Sequence, residues 1–192
     1  MRASVIERNT AETQIKLGLD LDGGEVEIST GIGFFDHMLT AFAVHGGLGL
    51  RLSVKGDLQV DTHHTVEDTG IVLGKAFKEA LDDMGGIARY GCACVPMDEA
   101  MAACVLDISN RPFLVYHAEF QQERCGDYET CMTEEFFRAF AMNSCITLHV
   151  SSPYGTNAHH QIEAMFKAVA HALKEAVRPN EDGSVLSTKG VL

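Results

Sequence analysis

A chain of 192 residues with 46% apolar side chains can bury a sizeable core, as one domain or as two intimately packed halves. Its formal charge of −12 disfavours nonspecific contact with nucleic acid and with anionic membrane surfaces. The N-terminus has no apolar signal-peptide core and no apolar run reaches transmembrane length, so the sequence reads as a soluble, cytoplasmic protein.

Residues 3–8, 13–19 and 25–29 alternate like short strands, with Asp22-Gly23-Gly24 as the turn between the second and third. Gly31-Ile32-Gly33 breaks the chain. It is not a dinucleotide-binding loop, because the third glycine and the βαβ setting are missing. Residues 34–44 read as a helix with Phe35, Leu39 and Phe42 on one face, ended by Gly46-Gly47. Residues 48–55 alternate as a strand, and Asp61-Thr62 is placed to cap a helix from His63 to about residue 83.

Gly85-Gly86 marks a boundary, after which the order repeats. Strands are expected over 91–97, 101–108 and 113–120, a helix over 130–142 with Phe136, Phe137 and Phe140 inward, a strand over 146–150 and a helix over 158–177. A polar turn (179–183) leads to a short tail. Six cysteines form no CxxC pair and no disulfide framework, and Cys92 and Cys94, alternating along a strand, read as reduced core thiols. The expected organisation is therefore two βββαβα halves, 1–84 and 85–178, with a tail over 179–192. The fold class is α+β: two four-stranded sheets with the helices packed between them. Strand order is not readable from this pattern.

The repeat is sharpest at two boxes. His63-His64-Thr65-Val66-Glu67 recurs as His159-His160-Gln161-Ile162-Glu163, 96 positions later. At that offset seven of nineteen pairs between 63–81 and 159–177 are identical, so the chain reads as a duplicated module. On a helix, residues four apart share a face and neighbours diverge by about 100°. His63 with Glu67, and His159 with Glu163, can each grip one ion, while His64 and His160 point elsewhere. If the two helices face each other, one ion takes His63, Glu67 and His160, and the other takes His159, Glu163 and His64.

Two ions need further ligands, which draws in His37, near a helix start, and His149, in a mostly apolar strand. Six imidazoles and two carboxylates without thiolates argue against a cysteine-type structural zinc site. They suit Mn, Fe or Ni better than Mg or Ca, with no choice among the three.

Four motifs carry a resemblance to a known family. They are Gly31-Ile32-Gly33-Phe34-Phe35-Asp36-His37-Met38-Leu39, Asp61-Thr62-His63-His64-Thr65-Val66-Glu67-Asp68, Asn157-Ala158-His159-His160-Gln161-Ile162-Glu163-Ala164 and Ser187-Thr188-Lys189-Gly190-Val191-Leu192. In this order and spacing the chain resembles the imidazoleglycerol-phosphate dehydratases along essentially its whole length. The resemblance implies two Mn ions per active site. It assigns His37 to the ion held by His64, His159 and Glu163, and His149 to the ion held by His63, Glu67 and His160.

It further implies phosphate contacts from Arg89, Arg111, Ser187 and Lys189, with Thr188 between the last two, and substrate contacts from Glu12, His37, His45, His63, His64 and Glu67. Alone, Glu12 reads as a surface residue between strands and His45 as a histidine favoured by a helix C-terminus. The implied reaction is loss of water from imidazole glycerol phosphate to give imidazole acetol phosphate in histidine biosynthesis. An imidazolate stabilised by the two ions pushes out hydroxide through a diazafulvene-like intermediate. Glu12 is the first candidate for proton transfer, with His45 or metal-bound water as alternatives. The implied assembly is a shell of twenty-four copies with sites between subunits. A dinuclear phosphoester hydrolase and a metal-glued shell without catalysis remain the alternative readings.

Overall fold

Alternation decides how each sheet faces. The computed structural model describes residues 2–82, 84–180 and 183–190. In the first half, β1 (Ala3–Asn9), β2 (Thr13–Asp20), β3 (Val26–Ser29) and β4 (Gly49–Gly56) form a sheet in the order β1-β2-β4-β3. Along β2, Ile15, Leu17 and Leu19 are buried while Gln14 and Lys16 are exposed, the period of two expected of a sheet covered on one face. In the second half, β5 (Tyr90–Met97), β6 (Ala100–Asp107), β7 (Phe113–Ala118) and β10 (Thr147–Tyr154) follow the order β5-β6-β10-β7. Each sheet has two antiparallel pairs and one parallel pair at the same place. A parallel pair needs a crossover, supplied by α1 (Gly33–Gly46) between β3 and β4 and by α3 (Met132–Ser144) on the way from β7 to β10. The duplication thus extends to strand order and direction.

α2 (His63–Leu81) covers β1 and β2, and α4 (Ala158–Ala176) covers β5 and β6. The helical layers meet between the sheets, α1 against α4 and α2 against α3. This corrects one expectation. Stacking the layers does not set the two histidine helices face to face, because each lies at the opposite end of its own sheet and meets the crossover helix of the other half.

Three further differences have local causes. A two-stranded ribbon, β8 (Arg124–Cys125) and β9 (Tyr128–Glu129), is inserted before α3, so the second half is more than βββαβα. Its Gly126-Asp127 turn puts Gly126 at φ 62, which favours glycine. Cys92 and Cys94 are exposed, not core thiols, because Gly91, Ala93 and Val95 take the inward positions of β5. Thr62 does not cap α2 with its side chain, which turns to Glu129; Asp61 does so instead, accepting the His63 N–H at 2.8 Å.

The core is one cluster running through both halves, with an aromatic centre. Phe136 stacks on Phe166 of α4 at 5.1 Å and meets Phe35 of α1 edge-on at 5.4 Å. Such pairs add about 0.5–1.5 kcal/mol to the burial itself. α3 reaches α2 through two glycines one turn apart. A Cβ on Gly70 would lie 2.8 Å from the Phe136 carbonyl, and one on Gly74 would lie 2.7 Å from the Phe140 carbonyl. In an exposed helix Gly→Ala gains about 1 kcal/mol. Here Gly74→Ala is expected to lower stability by about 1–3 kcal/mol through overpacking. Urea unfolding checks the sign, and a raised midpoint would show that α3 is not held this close.

Candidate metal centre and anion cavity

The first turn of α4 is set by Asn157, whose side chain accepts the His159 N–H at 2.9 Å. One turn on, Glu163 meets His159, Nε2 to Oε2 at 3.2 Å, as the i, i+4 spacing predicts. Packing of α1 on α4 adds His37, whose Nε2 is 3.5 Å from the same oxygen. The three donor atoms lie within 4.8 Å of one another. His37 is itself placed by two carboxylates. Asp36 accepts from the Thr30 N–H and hydroxyl at 2.8 and 2.6 Å, and Asp127 of the ribbon accepts the Gly33 N–H at 3.0 Å.

Burial pushes the Glu163 carboxyl up, but Lys167, with Nζ at 2.7 Å, and then His37 and His159 outweigh it and hold it below the usual carboxylate range. An ionised carboxylate and two imidazoles, open to solvent on one side, form a donor set that fits a divalent transition metal.

The other sequence-derived ligands do not join this cluster within the chain. On α2, His63 and Glu67 form the equivalent pair at 3.3 Å, both half-exposed. His64 diverges as expected, with Nδ1 3.0 Å from Asp57 and Nε2 3.6 Å from Glu12. His160 likewise diverges and binds Glu99 through Nδ1 at 2.7 Å. Glu99 also accepts the Thr156 and Asn157 N–H groups, and its carboxyl is held down at about 2, chiefly by His160. His149 is exposed on the outer face of the second sheet, in register with Val105 and Val115.

A separate open cavity of about 980 Å³ is lined by Arg89, Arg111, Ser187, Thr188 and Lys189, so the structure gathers the tail and both arginines. Val191 and Leu192 of the closing motif lie outside the described residues. Arg89 is buried at φ 71, a conformation that costs a non-glycine residue about 1 kcal/mol or more. Asp107 holds it, accepting from Nε at 2.6 Å, and also lies 3.3 Å from Arg111.

His45 ends α1 half-buried, with Nδ1 3.2 Å from His171 Nε2. Sequence reading passed over Asp57, Asp107, Asp127, Lys167 and His171, and gave Met97-Asp98-Glu99-Ala100 no role beyond shaping a strand turn. Only Lys167 carried a signal, as the i+4 neighbour of Glu163. The others act from turns, from a strand end, or across the α1–α4 contact.

A duplicated α+β scaffold with a histidine–carboxylate cluster at the start of α4 and an arginine-lined cavity near its end is an enzyme architecture that relatives make specific. Residues 30–173 match the family model described as imidazoleglycerol-phosphate dehydratase. Proteins of that name from Phenylobacterium zucineum and Gluconobacter oxydans are 53% and 55% identical over all of this chain and 99% and 98% of their own lengths. The crystal structure of the Staphylococcus aureus dehydratase superposes with a TM-score of 0.85 at 39% identity, covering 93% of this chain and 99% of that one. The Pyrococcus furiosus structure gives 0.85 at 37% identity, with 97% and 100% covered. The protein is thus a hydro-lyase. The chain belongs to the imidazoleglycerol-phosphate dehydratase family.

Burial, then the charge of Lys167 and the neighbouring His171, lower the His45 pKa below its ordinary 6.5. A base with a depressed folded pKa binds fewer protons folded than unfolded, so stability declines as pH falls through the unfolded value. His45→Asn is therefore expected to lose less stability than wild type between pH values above and below about 6.5. Denaturant midpoints of both proteins at the two pH values measure this, and identical declines would place the acid sensitivity elsewhere.

Proposed function

We propose that the chain removes water from imidazole glycerol phosphate to give imidazole acetol phosphate, as a cytoplasmic enzyme of histidine biosynthesis with two Mn ions per active site. The observation that carries this reading is the convergence of His37, His159 and Glu163 at the α1–α4 contact, in a chain of this family. His37, His64, His159 and Glu163 would hold one ion, and His63, Glu67, His149 and His160 the other. When bound, the ions supply Lewis acidity that stabilises negative charge on the imidazole ring.

The chain's own residues do the rest. Arg89 and Arg111, with Ser187, Thr188 and Lys189, hold the phosphate and so fix the distance from it to the ring. Hydroxide leaves from the carbon attached to the ring, driven by ring electron density, and a proton leaves the next carbon. Glu12, exposed beside His64, is the residue that takes this proton, and His45, whose lowered pKa favours the neutral ring, is the second candidate. The enol so formed tautomerises to the ketone.

The ligands of each ion are spread over surfaces that do not meet within one chain: α2 and α4 are diagonal, and His149 points from the outer face of its sheet. This supports sites between subunits, within the shell of twenty-four copies that the family resemblance implies. Light scattering of the Mn-loaded protein is expected to give that mass, and a monomer would remove the shell.

Mn-loaded protein is expected to eliminate water from imidazole glycerol phosphate without releasing inorganic phosphate. Phosphate release in place of elimination would favour a hydrolase. Arg111→Ala is expected to weaken binding of phosphate-bearing ligands by about 2 kcal/mol while leaving Mn stoichiometry unchanged. Equal affinities of mutant and wild type would take Arg111 out of the phosphate site.

A further inference from the structure

The two histidines that diverge from the i, i+4 pairs share a feature that duplication alone does not explain. His64 and His160 occupy equivalent first-turn positions of α2 and α4. Each has Nδ1 against a carboxylate, Asp57 at 3.0 and 3.1 Å and Glu99 at 2.7 Å. The carboxylates come from non-equivalent places. Asp57 follows the last strand of the first sheet, whereas Glu99 sits in the turn between the first two strands of the second sheet. The residue in the corresponding turn of the first half is Glu12, which, like Glu99, immediately precedes its half's second strand. Glu12 does not take the Nδ1 position. It lies 3.6 Å from Nε2, because Asp57 already occupies the other side of the ring. The same contact is thus made twice, from two different loops.

We infer that Asp57 and Glu99 are positioning residues for metal binding: each fixes its histidine with the proton on Nδ1 and presents the Nε2 lone pair outward as a ligand. This rests on the two-ion reading above. An imidazole must offer one unprotonated nitrogen to a metal, and a carboxylate on the other nitrogen both selects that tautomer and holds the ring plane. Both residues are anchored independently of the rings, Asp57 through its backbone and Glu99 through its carboxylate. The Asp57 N–H donates to the Glu12 carbonyl at 3.1 Å, and Glu99 accepts the Thr156 and Asn157 N–H groups at 3.0 and 2.8 Å. The shift of this task to Asp57 in the first half leaves the Glu12 carboxylate exposed and available for proton transfer, while its counterpart Glu99 is committed.

The test is Mn titration of the full chain, with anomalous difference maps resolving the two ions, for wild type, Asp57→Ala, Asp57→Asn and Glu99→Gln. Asp57→Ala is expected to weaken one ion by about 10–100-fold, the scale seen on loss of such partners. That ion is the one shared by His64, and the ion shared by His160 keeps its occupancy. Asp57→Asn, whose amide oxygen still accepts the Nδ1 proton, is expected to recover part of the loss. A general destabilisation would weaken both ions and show no such rescue. Glu99→Gln is expected to act on the other ion alone. Since Glu99 also binds the chain at the start of α4, the Asp57 pair decides the matter should the Glu99 variant misfold. Wild type that takes up two ions together with an Asp57→Ala protein of unchanged affinity overturns the positioning role and leaves the two-ion reading intact. Wild type that binds no Mn overturns both.

Discussion

Phe136 is the point at which all four helices meet. Its ring packs between Phe166 of α4 and Phe35 of α1, its own helix carries Phe137 and Phe140 alongside, and its carbonyl backs onto Gly70 of α2. Protein interiors pack as closely as organic crystals, so a ring enclosed in this way fixes the separation and rotation of the helices around it. The geometry of the candidate metal centre inherits that rigidity. His37 and Glu163 sit on two helices that come from different halves, and nothing in the local sequence of either holds them within 3.5 Å. His37 is exposed, His159 half-exposed and Glu163 buried and ionised, and it is the apolar layer beneath that keeps them in place.

Much of this was legible because faces are local. Alternation in β2 and the helical spacing of Phe35, Leu39 and Phe42 told which side each element buries, and the i, i+4 spacing of His63 with Glu67 and His159 with Glu163 was met by contacts of 3.3 and 3.2 Å. Neighbours are not local. The repeat indicated that α2 and α4 are equivalent but not that each would meet the other half's crossover helix. β5 shows where even faces fail. Gly91, Ala93 and Val95 on one side and Cys92 and Cys94 on the other are all small and apolar, so period two cannot say which row is inside. The roles of Asp57, Glu99 and Asp107 escaped for a third reason: each acts on a partner chosen by turn geometry or cross-strand register, which no spacing rule encodes.

Electrostatics follow the same division between global and local. The chain is acidic overall, yet it concentrates guanidinium groups around one cavity and spends Asp107 to align them. A carboxylate beside the arginine-lined cavity lowers its net positive potential, so its presence favours orientation of the arginines over raw attraction. Planar guanidinium rewards this, since bidentate contact with an anion depends on direction as much as on charge.

The ribbon β8–β9 has a consequence for the history and biogenesis of the chain. Its Asp127 accepts the first amides of α1, its Glu129 takes the Thr62 hydroxyl at the start of α2, and its Tyr128 is buried against Phe34 and Phe35. These are contacts made by the later copy to the helix starts of the earlier one, from a ribbon that the earlier copy lacks among the described residues, whereas the earlier copy's Arg2 donates to the Val177 carbonyl at the end of α4. The two copies are therefore no longer interchangeable, and two identical first halves could not rebuild the molecule. During synthesis the start of α1 also waits, without a side-chain cap of its own, until the residues around 127 have left the ribosome.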